Sequence, residues 1–420
     1  MKKSSLLIKT ALTAAIKAMA AFIAFFMTAA ITRIMGAEEA GLFLLAISIL
    51  AFSSIFFRLG LDNVLLRLIG ADRGTPRSIE AVSTGIVWSV LASGVFTLLV
   101  ISYPDFLAHY VFSKPEFSKV ISIMIWALPF IVVFMLLSFG FQAFYRVIVA
   151  TWFQNLGLSF IFLVMFLAAY FYDLEMSAAS SSIYYLIAAI VVCIWALILW
   201  HKQINGQWSV KLRDAELWNS SSNLWVASSM SLIVQWSGVL MAGIFVSSSE
   251  IAFLSAAQRT AMLTSFVLIV VNMVVAPRYA LLWKENKLNE IQRLAKWSTR
   301  GMVVLALPII TFMLVMPDFI MGLFGDEFVV AGNLLAIMAI GQFINVATGS
   351  VGFLLNMSGH ERDFRRVTMF AGPLTIILSY FFIVQWGVLG AAIATAVGMS
   401  VQNIGALFMV RKHLGFWPIG

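Results

Sequence analysis

Along the chain, runs of about twenty apolar residues alternate with short polar breaks. A helix of that length crosses a hydrocarbon core of roughly 30 Å. Reading the sequence with this window predicts about twelve spans, in residues 11–32, 41–66, 83–102, 120–141, 148–171 and 181–200, then 223–246, 251–275, 301–317, 329–355, 368–385 and 388–410. The polar stretch from His201 to Ser222 is the longest break near the middle and divides the spans six and six. The pattern therefore predicts an all-α polytopic membrane protein: an N-terminal six-helix lobe over 1–200, an inter-lobe linker over 201–222, and a C-terminal six-helix lobe over 223–420 with a short tail. The opening Met1-Lys2-Lys3 resembles a secretory signal, but the apolar run from Ala18 to Ile31 is longer than a signal core and more spans follow, so it reads as an uncleaved first span.

Composition closes off other classes. Hydrophobic residues make up 62% of the chain and charged residues 11%, with mean hydropathy +0.98, whereas a soluble domain is about 25% charged. The single cysteine, Cys193, excludes an intramolecular disulfide and any multi-cysteine metal or iron–sulfur site. The net charge of +8 is dispersed between apolar segments and forms no stripe, so it points to membrane orientation and no nucleic acid.

With the N-terminus placed in the cytoplasm, most of the 27 lysines and arginines fall on the inner side, among them Lys2, Lys3, Lys9, Arg67, Arg73, Arg77, Lys202, Lys211, Arg213, Arg278, Arg362, Arg411 and Lys412. Only Arg33, Lys114 and Lys119 fall outside, where the loops carry acids such as Glu38, Glu39, Asp105, Asp173, Glu175, Glu250 and Asp326. Both termini are then cytoplasmic. A faint parallel repeat accompanies the two halves: Glu39 and Glu250 open the second and eighth spans, and Arg67 and Arg278 close them at the same interval. Residues 279–300 read as an amphipathic linker helix at headgroup level.

No Gly-x-x-x-x-Gly-Lys-Ser/Thr loop, His-Glu-x-x-His motif or catalytic triad is present, so the chain reads as a non-enzyme with no cofactor and no metal. The informative chemistry is the set of ionisable residues inside spans, where a charge is costly and faces a partner or a wet cavity. These are Lys17, Arg58, Asp62 and Arg259. Arg259 lies nine residues, roughly 13 Å, into the eighth span, near the midplane, and reads as cavity-lining or as half of a structural pair. Arg58 and Asp62, spaced i, i+4, can neutralise one another, and Lys17 and Arg58 can both reach the interface from the inner half of their spans. Gln154, Asn155, Gln235, Asn272, Gln342 and Asn345 either line a pathway or join helices by hydrogen bonds, the second reading favoured. Three bases against one acid make an environment attractive to an anion and hostile to cations.

Four segments carry a resemblance. Gly359-His360-Glu361-Arg362, Trp386-Gly387-Val388-Leu389-Gly390-Ala391-Ala392-Ile393-Ala394-Thr395, Met35-Gly36-Ala37-Glu38-Glu39-Ala40-Gly41-Leu42-Phe43 and Gly60-Leu61-Asp62-Asn63-Val64-Leu65-Leu66-Arg67 resemble the polysaccharide-biosynthesis branch of the multidrug/oligosaccharidyl-lipid/polysaccharide exporter superfamily. The resemblance implies two six-helix lobes around a cationic central cavity. It also implies a bacterial inner-membrane flippase that moves undecaprenyl-pyrophosphate-linked oligosaccharide, such as an O-antigen unit, to the periplasmic leaflet by alternating access, with polysaccharide polymerase machinery as a partner. Lys17, Arg58 and Arg259 would then contact substrate, with Asp62 a charge partner or coupling group. Peptidoglycan-precursor flippases generally carry two further C-terminal spans, which sets this chain apart from them. A cation-coupled multidrug antiporter on the same fold is the alternative; a polytopic O-antigen polymerase or ligase is the third reading, disfavoured by short outer loops.

Overall fold

A computed structural model describes residues 3–62, 64–66 and 75–419, with side chains from Leu12 onward except at 223, 227, 273 and 277. Lys2, the Lys9 side chain, Arg67 and Arg73, expected on the inner side, lie outside the described residues. Backbone polar groups in a bilayer must be satisfied within the chain, and among the described residues ten long apolar helices do so: α1 (Lys3–Phe57), α2 (Pro76–Ser102), α3 (Phe117–Ala143), α4 (Val147–Phe171), α5 (Ala178–Gln203), α6 (Ala215–Phe245), α7 (Ser248–Lys284), α8 (Leu288–Val315), α9 (Asp326–Met357) and α10 (Glu361–Leu414).

Two of these are doubled. A straight helix of 54 or 55 residues would measure roughly 80 Å, more than twice a bilayer core. Both break at a glycine with non-helical torsions, Gly36 (φ 77°, ψ 172°) in α1 and Gly387 (φ 56°, ψ −137°) in α10. In α10 the reversal is visible twice. Gly390 lies against the Phe382 carbonyl so closely that a Cβ there would sit 2.0 Å from its oxygen. At the far end, His413 Nε2 meets Asp363 Oδ2 at 3.3 Å and the His360 and His413 rings stand 4.9 Å apart. Ten helices, two of them broken midway at a glycine and long enough to cross twice, thus match the twelve crossings of the expected all-α fold.

The chain divides into two units, residues 1–229 and 230–420. The first is built on aromatic packing: Phe43 stacks on Phe162 at 5.4 Å, Tyr185 meets both edge-on, and the buried Trp200 ring lies on Gly140, where a Cβ would be 2.8 Å from it. Such pairs add about 0.5–1.5 kcal/mol each beyond their buried area. Ser177 closes a capping box on α5, whose Ala178 N–H also donates to Glu39 Oε2 at 2.6 Å, a carboxylate at a helix N-terminus. In the second unit small residues bring backbones together, Gly341 on Ala396 and Gly398 on Thr375, as helix pairs in lipid require. There Glu250 closes a capping box with Ser247 on α7. The two repeat-related glutamates both serve helix N-termini, one of a neighbouring helix and one of its own.

Candidate functional site

The expected second span, 41–66, is interrupted. Its regular helix ends at Phe57, and Arg58, Leu59 and Gly60 form a turn in which Leu59 (φ 54°) and Gly60 (φ 72°) are left-handed. Two contacts within the first unit hold the break. Trp225 Nε1 donates to the Phe56 carbonyl at 2.8 Å, satisfying an acceptor at the helix end. The α6 backbone passes over Gly60 so tightly that a Cβ there would lie 2.4 Å from Trp225 N.

Arg58 is carried inward by this turn and is only 6% exposed. Its Nη2 lies 3.2 Å from Asp62 Oδ2, and its guanidinium stands 5.8 Å from the centre of the Phe139 ring. Arg58 Nε and Asp62 Oδ1, both buried, have no hydrogen-bond partner among the described residues. The i, i+4 pair therefore exists, yet it is formed across a break and only part of its hydrogen-bonding capacity is used. A spare donor and a spare acceptor side by side in a buried ion pair can receive a polar ligand or rearrange.

Lys17 is half-buried on the first arm of α1 and makes no ion pair among the described residues. Arg259 is half-buried on α7, in the second unit; its neighbour Gln258 donates to the Gln235 carbonyl at 2.9 Å. Of the four ionisable residues inside spans, the structure brings Arg58 and Asp62 together. Four of the polar amides join helices: Gln154 donates to Gln142 at 3.0 Å and Asn345 to Ser265 Oγ at 3.2 Å, while Ser265 and Ser350 donate to Gln342 and Asn272; Asn155 instead donates within its own helix, to the Thr151 carbonyl at 3.2 Å.

A second constellation escaped the sequence reading. Arg77, in the first turn of α2, takes three carboxylates: Asp214 through both of its nitrogens, Glu80 at 2.9 Å and Glu216 at 3.2 Å. Asp214 also accepts from Leu217 N at 3.0 Å, capping α6. The Arg77 hydrogen bonds hold the Asp214 carboxyl below the usual carboxylate range. The segment before it is fastened to α2 as well, Lys211 N donating to Thr84 Oγ1 at 2.9 Å and Trp88 Nε1 to the Leu212 carbonyl at 3.1 Å. The expected linker is thus tied along α2 within the first unit. An aspartate just ahead of an apolar helix was the available signal for the cap; the arginine 137 residues earlier left none.

Helices that cross and recross a bilayer, with ionisable side chains held within them, define a multi-pass membrane protein. The sequence matches the family model described as Polysaccharide biosynthesis protein over residues 6–283, and the chain belongs to that family and to the superfamily expected from its motifs. A second model, MatE, matches residues 226–381. The probable low-salt glycan biosynthesis flippase Agl15 of Haloferax volcanii is 29% identical over 231 residues, 54% of this chain and 48% of its own length; the chain spans about half the length of that curated relative. Among solved structures, the lipid II flippase MurJ in an inward closed conformation superposes with TM-score 0.77 at 14% identity, covering 95% of this chain and 87% of that one. An inward-facing multidrug resistance MATE family transporter superposes with TM-score 0.73 at 14% identity, over 97% and 98%. At this identity the two superpositions establish fold.

Proposed function

We propose that the protein is a flippase for lipid-linked glycan, moving a polyprenyl-pyrophosphate-linked oligosaccharide of the O-antigen kind, on undecaprenol in a bacterial host, from the cytoplasmic to the periplasmic leaflet of the inner membrane. The observation that carries the reading is the sign of the charges inside the spans: Lys17, Arg58 and Arg259 against Asp62 alone, in a member of the polysaccharide-biosynthesis family. Cations within a bilayer suit a pyrophosphate, and the one acid faces Arg58. In this reading Lys17, Arg58 and Arg259 are substrate contacts, each argued from its own helix, and Asp62 is the charge partner or coupling group of Arg58. Polysaccharide polymerase machinery is the downstream partner in this reading.

The MatE match over 226–381 supports a second reading, a cation-coupled multidrug antiporter. Such export uses unpaired intramembrane carboxylates, and Asp62 is paired.

Complementation of an O-antigen flippase-deficient strain separates the two. Wild type should restore surface glycan and clear the lipid-linked units that accumulate inside. At matched membrane abundance, Arg259→Ala should lose at least tenfold in surface glycan and Arg259→Lys should recover part. Drug export by wild type without glycan rescue would transfer the assignment to the antiporter.

A further inference from the structure

Tying residues 211–214 against α2 leaves a recess at the start of α6. It has a volume of about 430 Å³ and is lined by Trp88, Leu212, Arg213, Asp214, Ala215 and Trp218, within the size range of small-ligand sites. Trp88 and Trp218 meet edge-to-face at 5.8 Å and form its apolar wall. The recess is open: Leu212 is 59% and Trp218 44% exposed.

Its depth follows from α2. The helix starts at Pro76, whereas the apolar stretch that fits the hydrocarbon core starts at 83. Trp88 is five residues, roughly 7 Å, inside that boundary, on the side of the basic loops. From Trp88 the exposed residues Leu91, Val95 and Leu98 continue at helical spacing along the outer face of α2. An apolar track thus runs from the recess towards the bilayer centre.

Charges of both signs surround the recess. Lys211 and Arg213 are exposed, and Arg213 makes no ion pair among the described residues. Among the described residues Glu80, Asp214 and Glu216 gather on Arg77, with Lys211 also acting on Asp214, and Glu216 is the most exposed of the three carboxylates. A positive edge beside a negative one is complementary to a headgroup that carries both signs.

We propose that this recess seats one zwitterionic phospholipid of the leaflet on the basic side, with its phosphate on Arg213 and Lys211, its ammonium towards Glu216, and an acyl chain along Trp88, Leu91 and Val95. Basic pockets between membrane helices on this side hold lipid headgroups elsewhere; here the carboxylates on Arg77 select the zwitterion over the anion. None of its lining residues is among the charges assigned to translocation.

Native mass spectrometry of the purified full chain tests this, with phosphatidylethanolamine and phosphatidylglycerol of identical chains titrated separately. Wild type should retain one phosphatidylethanolamine more tightly than phosphatidylglycerol. Arg213→Gln, an exposed change that leaves the Arg77 joint intact, should weaken retention about five-fold, as expected for one basic group at a membrane surface. Glu216→Gln should shift preference towards phosphatidylglycerol, and Arg293→Gln, an exposed arginine on α8, should leave both unchanged. Equal or tighter retention of phosphatidylglycerol by wild type overturns the proposal, as does unchanged phosphatidylethanolamine retention in Arg213→Gln.

Discussion

At the level of single residues, the buried pair Arg58 and Asp62 decides the most. Its i, i+4 spacing is legible in sequence; its partial satisfaction is not, because the break at Arg58–Gly60 depends on Trp225 and the α6 backbone, some 165 residues later. Removing one member of a buried pair strands the other and costs about 3–5 kcal/mol, whereas replacing both with apolar groups is often neutral. Asp62→Ala should therefore lower the unfolding temperature in detergent and reduce membrane abundance, while Arg58→Met combined with Asp62→Leu should regain most of both. The double variant should still fail to flip substrate. If Asp62→Ala is as stable as wild type, Arg58 has another partner or reaches water, and the pair is a surface contact in practice.

Among the helices, the recurrent motifs acquire a physical meaning. The sequence pattern foretold twelve spans but not that consecutive ones join without a loop. That junction needs glycine twice, for a conformation outside the helical region at Gly387 and for backbone contact at Gly390. The same two demands meet in one residue at Gly60. Substituting Ala at Gly60 adds a left-handed penalty of about 1–3 kcal/mol and overpacking of similar size, and Gly390→Ala forces a Cβ into the Phe382 carbonyl. Both should lose most folded protein in a detergent-solubilised size-exclusion assay. Gly94→Ala is the matched comparison: nothing stands within 4 Å of its Cβ position, and a mid-helix Gly→Ala change should raise stability by about 0.5–1 kcal/mol. Equal behaviour of the three would mean that the glycines mark helix breaks without enforcing them. The Arg77 joint, by contrast, rests on residues far apart in sequence, so no periodicity announces it.

For the whole molecule, direction of transport depends on which side each loop occupies, and charge supplies a definite expectation. Lysines and arginines concentrate beyond one end of the expected spans, whereas acids fall beyond both. The α10 hairpin adds an independent constraint, since the contact between Asp363 and His413 puts both ends of that helix on one side. The one thiol of the sequence, Cys193, is 3% exposed and shielded from a water-soluble reagent, so single reporters can be added. Glu175, just before α5, and Lys202, in its last turn, are exposed, and the 26 residues of the helix span roughly 39 Å. Glu175→Cys should react with an impermeant maleimide in intact cells, and Lys202→Cys and Lys412→Cys only after permeabilisation. Reaction of Lys412→Cys together with Glu175→Cys, but not Lys202→Cys, would imply an odd number of crossings between 202 and 412 and contradict the twelve-span count; reversal of all three would invert the molecule. An inside-negative potential favours outward movement of each negative charge by about 2.3 kcal/mol per 100 mV, so inversion would set the potential against the proposed direction and require a coupled ion to drive it.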